Sequence, residues 1–274
     1  MCKSCGCGKP RGARRGASGT AQEHTHTHVH EGHRHVHTHS HEGGKHKHRH
    51  ESLHAEAAAA RRVVVEQKVL ARNDEIAEKN RRWLADRGVV AVNLISSPGS
   101  GKTTLLEETL DKLARELGIA VITGDQQTDN DARRLRGRGA PVHQIETISA
   151  CHLDAGQIAA ALPKVIKRGT RLLFIENVGN LVCPAAFDLG EHVKIALLSS
   201  AEGEDKPVKY PVLFSEAAAV VLSKMDLVPH LDWDLATCRR CLRQVQPKIR
   251  IIELSARTGE GMEAWFDYLR GLVA

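Results

Sequence analysis

Val89-Val90-Ala91-Val92-Asn93-Leu94-Ile95-Ser96-Ser97-Pro98-Gly99-Ser100-Gly101-Lys102-Thr103-Thr104 is the stretch that decides how this chain folds. Its first seven residues are apolar except Asn93 and spell a strand buried on both faces. A glycine turn follows, and then a helix expected over 102–117. A strand, a Gly-Lys-Thr turn and a helix in that order make the setting a phosphate-binding loop requires. The glycines let successive backbone N–H groups point inward around phosphate oxygens, and the helix N-terminus adds its positive dipole end. Gly99, Ser100, Gly101 and Thr104 belong to this cradle. Lys102 is placed to reach the β and γ phosphates, and the Thr103 hydroxyl to bind Mg2+. Ser96 stands where the first glycine of such loops is usual.

Working outward, strand-like segments recur at 119–123, 171–175, 195–200, 219–222 and 249–254, with helical stretches between most of them, such as 154–167 and 262–272. Alternation of this kind predicts an α/β domain with a mostly parallel sheet flanked by helices. A long helix without Gly or Pro is expected ahead of the first strand, over 56–87. Ser223-Lys224-Met225-Asp226 follows one strand and resembles the Asn-Lys-x-Asp element of GTPases, whose carboxylate accepts two hydrogen bonds from guanine N1 and N2. Ser255-Ala256-Arg257 follows another strand and resembles the companion Ser-Ala-Lys element, whose backbone N–H faces guanine O6. Together, in order, they favour GTP over ATP. Ser223 replaces an Asn that elsewhere both holds guanine N7 and ties the base loop to the phosphate loop. A Ser side chain is too short to do both, so Ser223→Asn is expected to tighten GTP binding. Glu176-Asn177-Val178-Gly179 follows the strand at 171–175. Gly179 sits where a switch glycine would meet the γ phosphate, Glu176 could hold Mg2+ through water, and Asp125 is a second Mg2+ candidate. Lys102, Asp125 and Glu176 are the expected catalytic residues.

The chain has 274 residues, 41% of them hydrophobic, enough for one sizeable domain and an appendage. Residues 1–54 are the appendage: the stretch to Ser52 lacks Leu, Ile and Phe and is expected to be disordered. Residues 55–274 form the expected nucleotide-binding domain. No run of 18 apolar residues exists, and the first residues lack the apolar middle of a signal peptide, so a cytoplasmic protein with no membrane partner is expected. In that compartment the seven Cys are metal ligands or buried thiols, not disulfides. The net charge of +6 is spread among interleaved acids, and aromatics make up only 3%, which argues against nucleic acid as a partner.

Cys2, Cys5 and Cys7 pack three thiols into an N-terminus with no core to bury them. Three thiolates with a backbone or terminal nitrogen suit a square-planar site, which fits Ni2+ and leaves Cu and Zn open. Thirteen of the 17 histidines lie between His24 and His54. His24, His26, His28 and His30 alternate with other residues, as do His33, His35, His37, His39 and His41, and then His46, His48 and His50. Such a tract offers many imidazoles and no fixed pocket, a weak reservoir for Ni2+, Zn2+ or Cu2+. Cys151, His152 and Cys183 form a third set, Cys183 lying inside the expected switch. Three ligands are too few for a tetrahedral site, so a partner chain or solvent must supply the rest. Cys238 and Cys241 are spaced C-x-x-C on an expected helix, 234–245, where packing is the favoured role.

The Cys-x-x-Cys-x-Cys start, the His tract, SSPGSGKTT, Cys151-His152, ENVGNLVCP and SKMDL together resemble the hydrogenase nickel-incorporation GTPases, the HypB family, over nearly the whole chain. That resemblance implies a GTPase domain that dimerises when GTP binds, with Ni2+ or Zn2+ at Cys151, His152 and Cys183 near the dimer interface. It implies delivery of nickel to the large subunit of a [NiFe] hydrogenase, together with a small zinc-containing partner chaperone. The urease nickel chaperones share the phosphate loop and a switch-linked Cys/His site but lack the Cys-x-x-Cys-x-Cys start. A storage protein with a vestigial GTPase is the alternative of a different class.

Overall fold

A computed structural model describes the backbone of residues 23–30, 33–40, 49–125, 130–147 and 151–274, and the side chains of 67–124, 130–147 and 151–274. The chain divides between residues 60 and 61 into two units. In the first, strands β1 (Glu23–His30) and β2 (His33–Ser40) form an antiparallel ribbon in which His24 lies opposite His39 and His26 opposite His37. Disorder was the expectation for these residues. Their alternation of Thr or Val with His has the period of a strand, and β-branched residues favour extended backbone. Cys2, Cys5, Cys7, His41, His46 and His48 lie outside the described residues. Helix α1 (Arg49–Ala85) starts earlier than the sequence suggests.

The second unit carries a seven-stranded sheet in the order β5-β4-β6-β3-β7-β8-β9. The strands are β3 (Val90–Ser96), β4 (Ile119–Asp125), β5 (Val142–Glu146), β6 (Leu172–Glu176), β7 (Val193–Ser199), β8 (Ala219–Ser223) and β9 (Arg250–Glu253). Every pairing is parallel. The helices between them are α2 (Lys102–Leu117), α3 (Asn130–Leu135), α4 (Ala155–Val165), α5 (Cys183–Ala186), α6 (Lys206–Lys209), α7 (Pro211–Glu216), α8 (Leu235–Val245) and α9 (Met262–Leu272).

Parallel strands need crossovers, and the crossovers cover both faces. The pleat sorts the core accordingly. On one face Val92, Leu94 and Phe174 meet α2 through Leu106 and Leu110 and α9 through Trp265. On the other, Ala91, Ile122 and Ile175 meet Leu84 of α1 and Ile158 and Leu162 of α4. Farther along the same face Ala196 and Leu222 meet Phe214 of α7 and Leu242 of α8. Each central strand therefore contributes alternate residues to opposite cores, which is why these strands are almost wholly apolar. Their C-terminal ends share one edge, where ligands bind in open parallel sheets.

Candidate functional site

At that edge β3 runs into α2 through the phosphate loop. Gly101 caps α2 with φ +97, a backbone that a side chain would strain, and this turns the helix N-terminus toward the open cleft. A cleft of about 520 Å3 lies over the loop, lined among others by Gly99, Lys102, Thr103, Glu176, Gly179 and Lys224. Lys102 is nearly buried, and its Nζ donates to Ser96 Oγ at 2.8 Å. The residue that departs from the usual pattern thus rests the lysine at the loop. Thr103 Oγ1 donates to Glu176 Oε1 at 2.7 Å. Glu176 is 3% exposed, and its other oxygen has no partner. Burial pushes this carboxyl up to about 7, against the opposing pulls of the Thr103 bond and Lys102. A paired hydroxyl and carboxylate with one unused buried oxygen fits a divalent cation. Asp125 closes β4, its side chain outside the described residues.

Gly179 packs so closely on the loop that a Cβ would lie 2.9 Å from Pro98 Cα. The segment after β6 therefore touches the phosphate loop directly.

A second cleft, of about 480 Å3, continues from the first and shares Ser100, Gly101, Thr104 and Lys224 with it. Here Ser255 Oγ donates to Asp226 Oδ1 at 2.6 Å, which joins the two elements expected to read the base. Ala256 lines the same cleft. Lys224, with φ +59, is the one non-glycine left-handed residue among those described, and its Nζ donates to the Gly99 carbonyl at 2.7 Å. Ser223 Oγ donates to the Ser100 carbonyl at 2.7 Å. Of the two roles that the Asn plays elsewhere, the tie between base loop and phosphate loop is thus made by Ser223. Serine reaches because β8 ends against the loop itself.

Three contributors were not foreseen. Glu202 accepts from Ser100 Oγ at 2.8 Å and from the Ser199 N–H at 3.1 Å. Lys206 Nζ donates to Ser97 Oγ at 2.8 Å and pairs with Glu202. Burial alone would raise Glu202, but Lys206 and the serine donors hold it below its ordinary value. The Glu202–Lys206 spacing of one helical turn was the available signal. Arg134 of α3 also lines the phosphate cleft, donates to Thr104 Oγ1 at 3.0 Å and pairs with Glu107.

Cys151, His152 and Cys183 come together: their candidate ligand atoms all lie within 4.8 Å of one another, the one such group among the described residues. Cys151 precedes α4 and Cys183 opens α5. The His152 ring stacks on Phe187 at 3.9 Å, and burial holds its pKa below the ordinary value, which favours the neutral, ligating imidazole. The neighbouring Cys151 sulfur raises the Cys183 thiol. A cation bound there would displace the thiol protons to solvent and stabilise the thiolates. Cys238, by contrast, is fully buried in the core under α7 and α8, and burial pushes its thiol up to about 12. Among the described residues no helix is long and apolar enough to cross a membrane.

Residues 90–253 match the family described as CobW/HypB/UreG, nucleotide-binding domain. The chain is 52% identical over 217 residues to the hydrogenase maturation factor HypB of Escherichia coli K12, covering 79% of this chain and 75% of that protein. Among solved structures it is similar to the hydrogenase maturation factor HypB of Archaeoglobus fulgidus, at 40% identity and a TM-score of 0.71, covering 75% of this chain and all of that one. It is also similar to HypB from Helicobacter pylori solved in complex with nickel, at 36% identity and a TM-score of 0.70, covering 74% and 95%.

Proposed function

The chain belongs to the HypB family of hydrogenase maturation factors, and from that premise we propose that it is a GTP-hydrolysing nickel metallochaperone. In this reading it binds nickel and delivers it to the large subunit of a [NiFe] hydrogenase in the cytoplasm, working as a GTP-dependent homodimer beside a small zinc-containing chaperone. The observation that carries the reading is one short segment: it starts at Glu176 under the phosphate cleft and ends at Cys183 in the thiol cluster. A nucleotide cycle and a metal site share that piece of chain.

The chemistry follows from the residues. The loop amides and Lys102 take the phosphates, Lys102 leaving Ser96 to do so. Asp226, oriented by Ser255, accepts from guanine N1 and N2. Thr103 and Glu176 fit Mg2+, which when bound would neutralise charge on the transferring phosphoryl group; Asp125 is the remaining candidate ligand. Arg134, held by Glu107, adds a fixed positive charge to the wall of the phosphate cleft. Nickel is cargo here. Cys151, His152 and Cys183 offer it two thiols and an imidazole, and a partner chain or solvent completes the shell; Zn2+ suits the same donors. The relative solved with nickel supports the choice of cargo. Cys2, Cys5 and Cys7 are a further nickel site in this reading, and the histidines from His24 to His50 a reservoir. GTP turnover, together with nickel titration of the wild-type chain and of Cys183→Ser, tests the proposal. Hydrolysis of GTP and a nickel site lost with Cys183 are expected; absence of either sinks it.

A further inference from the structure

Asn177 stands between the two sites, and its side chain is engaged on both sides. It is 1% exposed. Its Oδ1 accepts from the N–H of Val178, in the segment that reaches Gly179, at 2.9 Å. The same oxygen accepts from the N–H of Leu153, the residue after His152, at 3.4 Å. One atom thus holds the backbone of the nucleotide segment and the backbone of the metal segment.

The orientation of this amide is set from behind. Glu191, buried at the far end of the row, accepts from the Leu189 N–H at 2.7 Å and from Asn93 Nδ2 at 3.1 Å. The Asn93 nitrogen faces Glu191, and the Asn93 oxygen therefore faces the other way. That oxygen accepts from Asn177 Nδ2 at 3.2 Å. The Asn177 oxygen is then left for Val178 and Leu153. Neither amide in the row can flip without placing oxygen against oxygen in a buried setting, a loss typical of an unsatisfied polar pair. Asn93 is fully buried in the central strand and touches neither cleft nor cluster, so the row has no need of it for binding.

The far side of the metal segment is fixed by a different element. Asn73 Oδ1 accepts from the Ala155 N–H at 2.9 Å, and Asn80 Nδ2 donates to the Ala155 carbonyl at 2.8 Å, both from α1. Only two residues, Leu153 and Asp154, separate His152 from that anchor. A shift of the Asn177 amide therefore has to be taken up at His152 and Cys151.

We propose that Asn177 is the positioning residue through which the state of the nucleotide reaches the Cys151–His152–Cys183 cluster, a proposal that rests on the reading of the cleft as a GTP site and the cluster as a metal site. Movement at Val178 and Gly179 on a γ phosphate pulls one of the two hydrogen bonds on Asn177 Oδ1 and thereby tightens or releases the other, on Leu153.

The test uses the full chain carrying Cys2→Ser, Cys5→Ser and Cys7→Ser, with cobalt(II) as the probe. Cobalt–thiolate absorption then reports Cys151 and Cys183, histidines lacking that band, and Cys183→Ser serves as the control. Cobalt affinity is measured with GDP and with a non-hydrolysable GTP analogue. The parent is expected to differ between the two states by roughly 5- to 150-fold, the usual range for coupled sites. Asn177→Ala, and Asn93→Asp, which sets a second carboxylate against Glu191, should bring that ratio to within about twofold of one while each still binds cobalt. Hydrogen exchange at the Leu153 amide of the unsubstituted chain, compared between the two nucleotides, reads the same event without any variant, and its protection should differ. A parent that binds no GTP or no cobalt overturns the functional reading and the relay with it. A parent that couples, with variants that couple equally or a Leu153 amide indifferent to nucleotide, overturns the relay alone.

Discussion

At the scale of single residues three expectations are sharp, two of them in the nucleotide cleft. Lys102→Ala removes the charge meant for the β and γ phosphates and touches no apolar core, so GTP hydrolysis should nearly vanish while the thermal midpoint stays close to wild type. Turnover within about threefold of wild type would contradict the assignment. Ser223→Ala should weaken GTP, because the buried Ser100 carbonyl loses its donor and the phosphate loop loses its tie to the base loop. One such bond is worth about 0.5–1.5 kcal/mol, or roughly two- to twelvefold in affinity, readable by calorimetry. Cys238, buried with its thiol at about 12, should resist alkylation of the native protein at pH 8, whereas half-buried Cys241 should react; mass spectrometry of the labelled chain distinguishes them. The candidate site was legible where motif and chemistry coincide, as at Lys102, Thr103 and Asp226, and in the choice of Cys151, His152 and Cys183 as a set. It was not legible at Glu202, Lys206 and Asn177. The spacing of Glu202 and Lys206 hints at their pairing, but their contacts with the phosphate loop span 100 residues or more, and Asn177 acts from within the protein; no short spacing encodes such contacts.

Elements carry the next set of consequences. Gly179→Ala would press a methyl group into Pro98 backbone at 2.9 Å, so either the segment after β6 or the phosphate loop must shift. Overpacking of this sort costs about 1–3 kcal/mol, and GTP turnover should fall more than the melting temperature does. A larger loss of stability than of turnover would show that the contact is merely structural. Helix α1 behaves as part of the nucleotide-binding unit at its C-terminal half: Asn80 Nδ2 donates to both the Ala155 and the Leu189 carbonyls, and Gly190 is crowded against the Ala77 carbonyl. Asn80→Ala strands two buried acceptors, about 1–3 kcal/mol, and should lower the melting temperature by several degrees in a scanning calorimeter. The central strands were readable because full burial makes them almost uniformly apolar, and α2 because its buried Leu residues recur at helical spacing. Strand β5 was missed: it lies at the sheet edge, His143 and Gln144 break its pattern, and it is five residues long. Helices α3, α5, α6 and α7 were missed because four to six residues make too little of a helical period to see.

For the molecule as a whole, the two units invite separation of duties. Removing residues 21–54 should lower nickel stoichiometry in equilibrium dialysis by several ions and leave GTP turnover intact, because the nucleotide clefts draw on residues 98–257 alone. An unchanged ion count would deny the tract its reservoir role, and lost turnover would make it part of the fold. The sheet order has one more consequence, in time. Strand β3 sits between β6 and β7, and the Ser100 carbonyl is met by Ser223, 123 residues later, while Asp226 waits for Ser255. Contacts so distant in sequence close late, since loop entropy must be overcome before they contribute. During synthesis the phosphate loop emerges from the ribosome about 150 residues before Ser255 and Ala256, which line the adjoining cleft, and at roughly 5–20 residues per second that interval is about 8–30 s. Until β9 pairs with β8 the second cleft lacks the wall made by Leu254, Ser255, Ala256 and Arg257, so a ligand that needs that wall can only select chains that have finished folding.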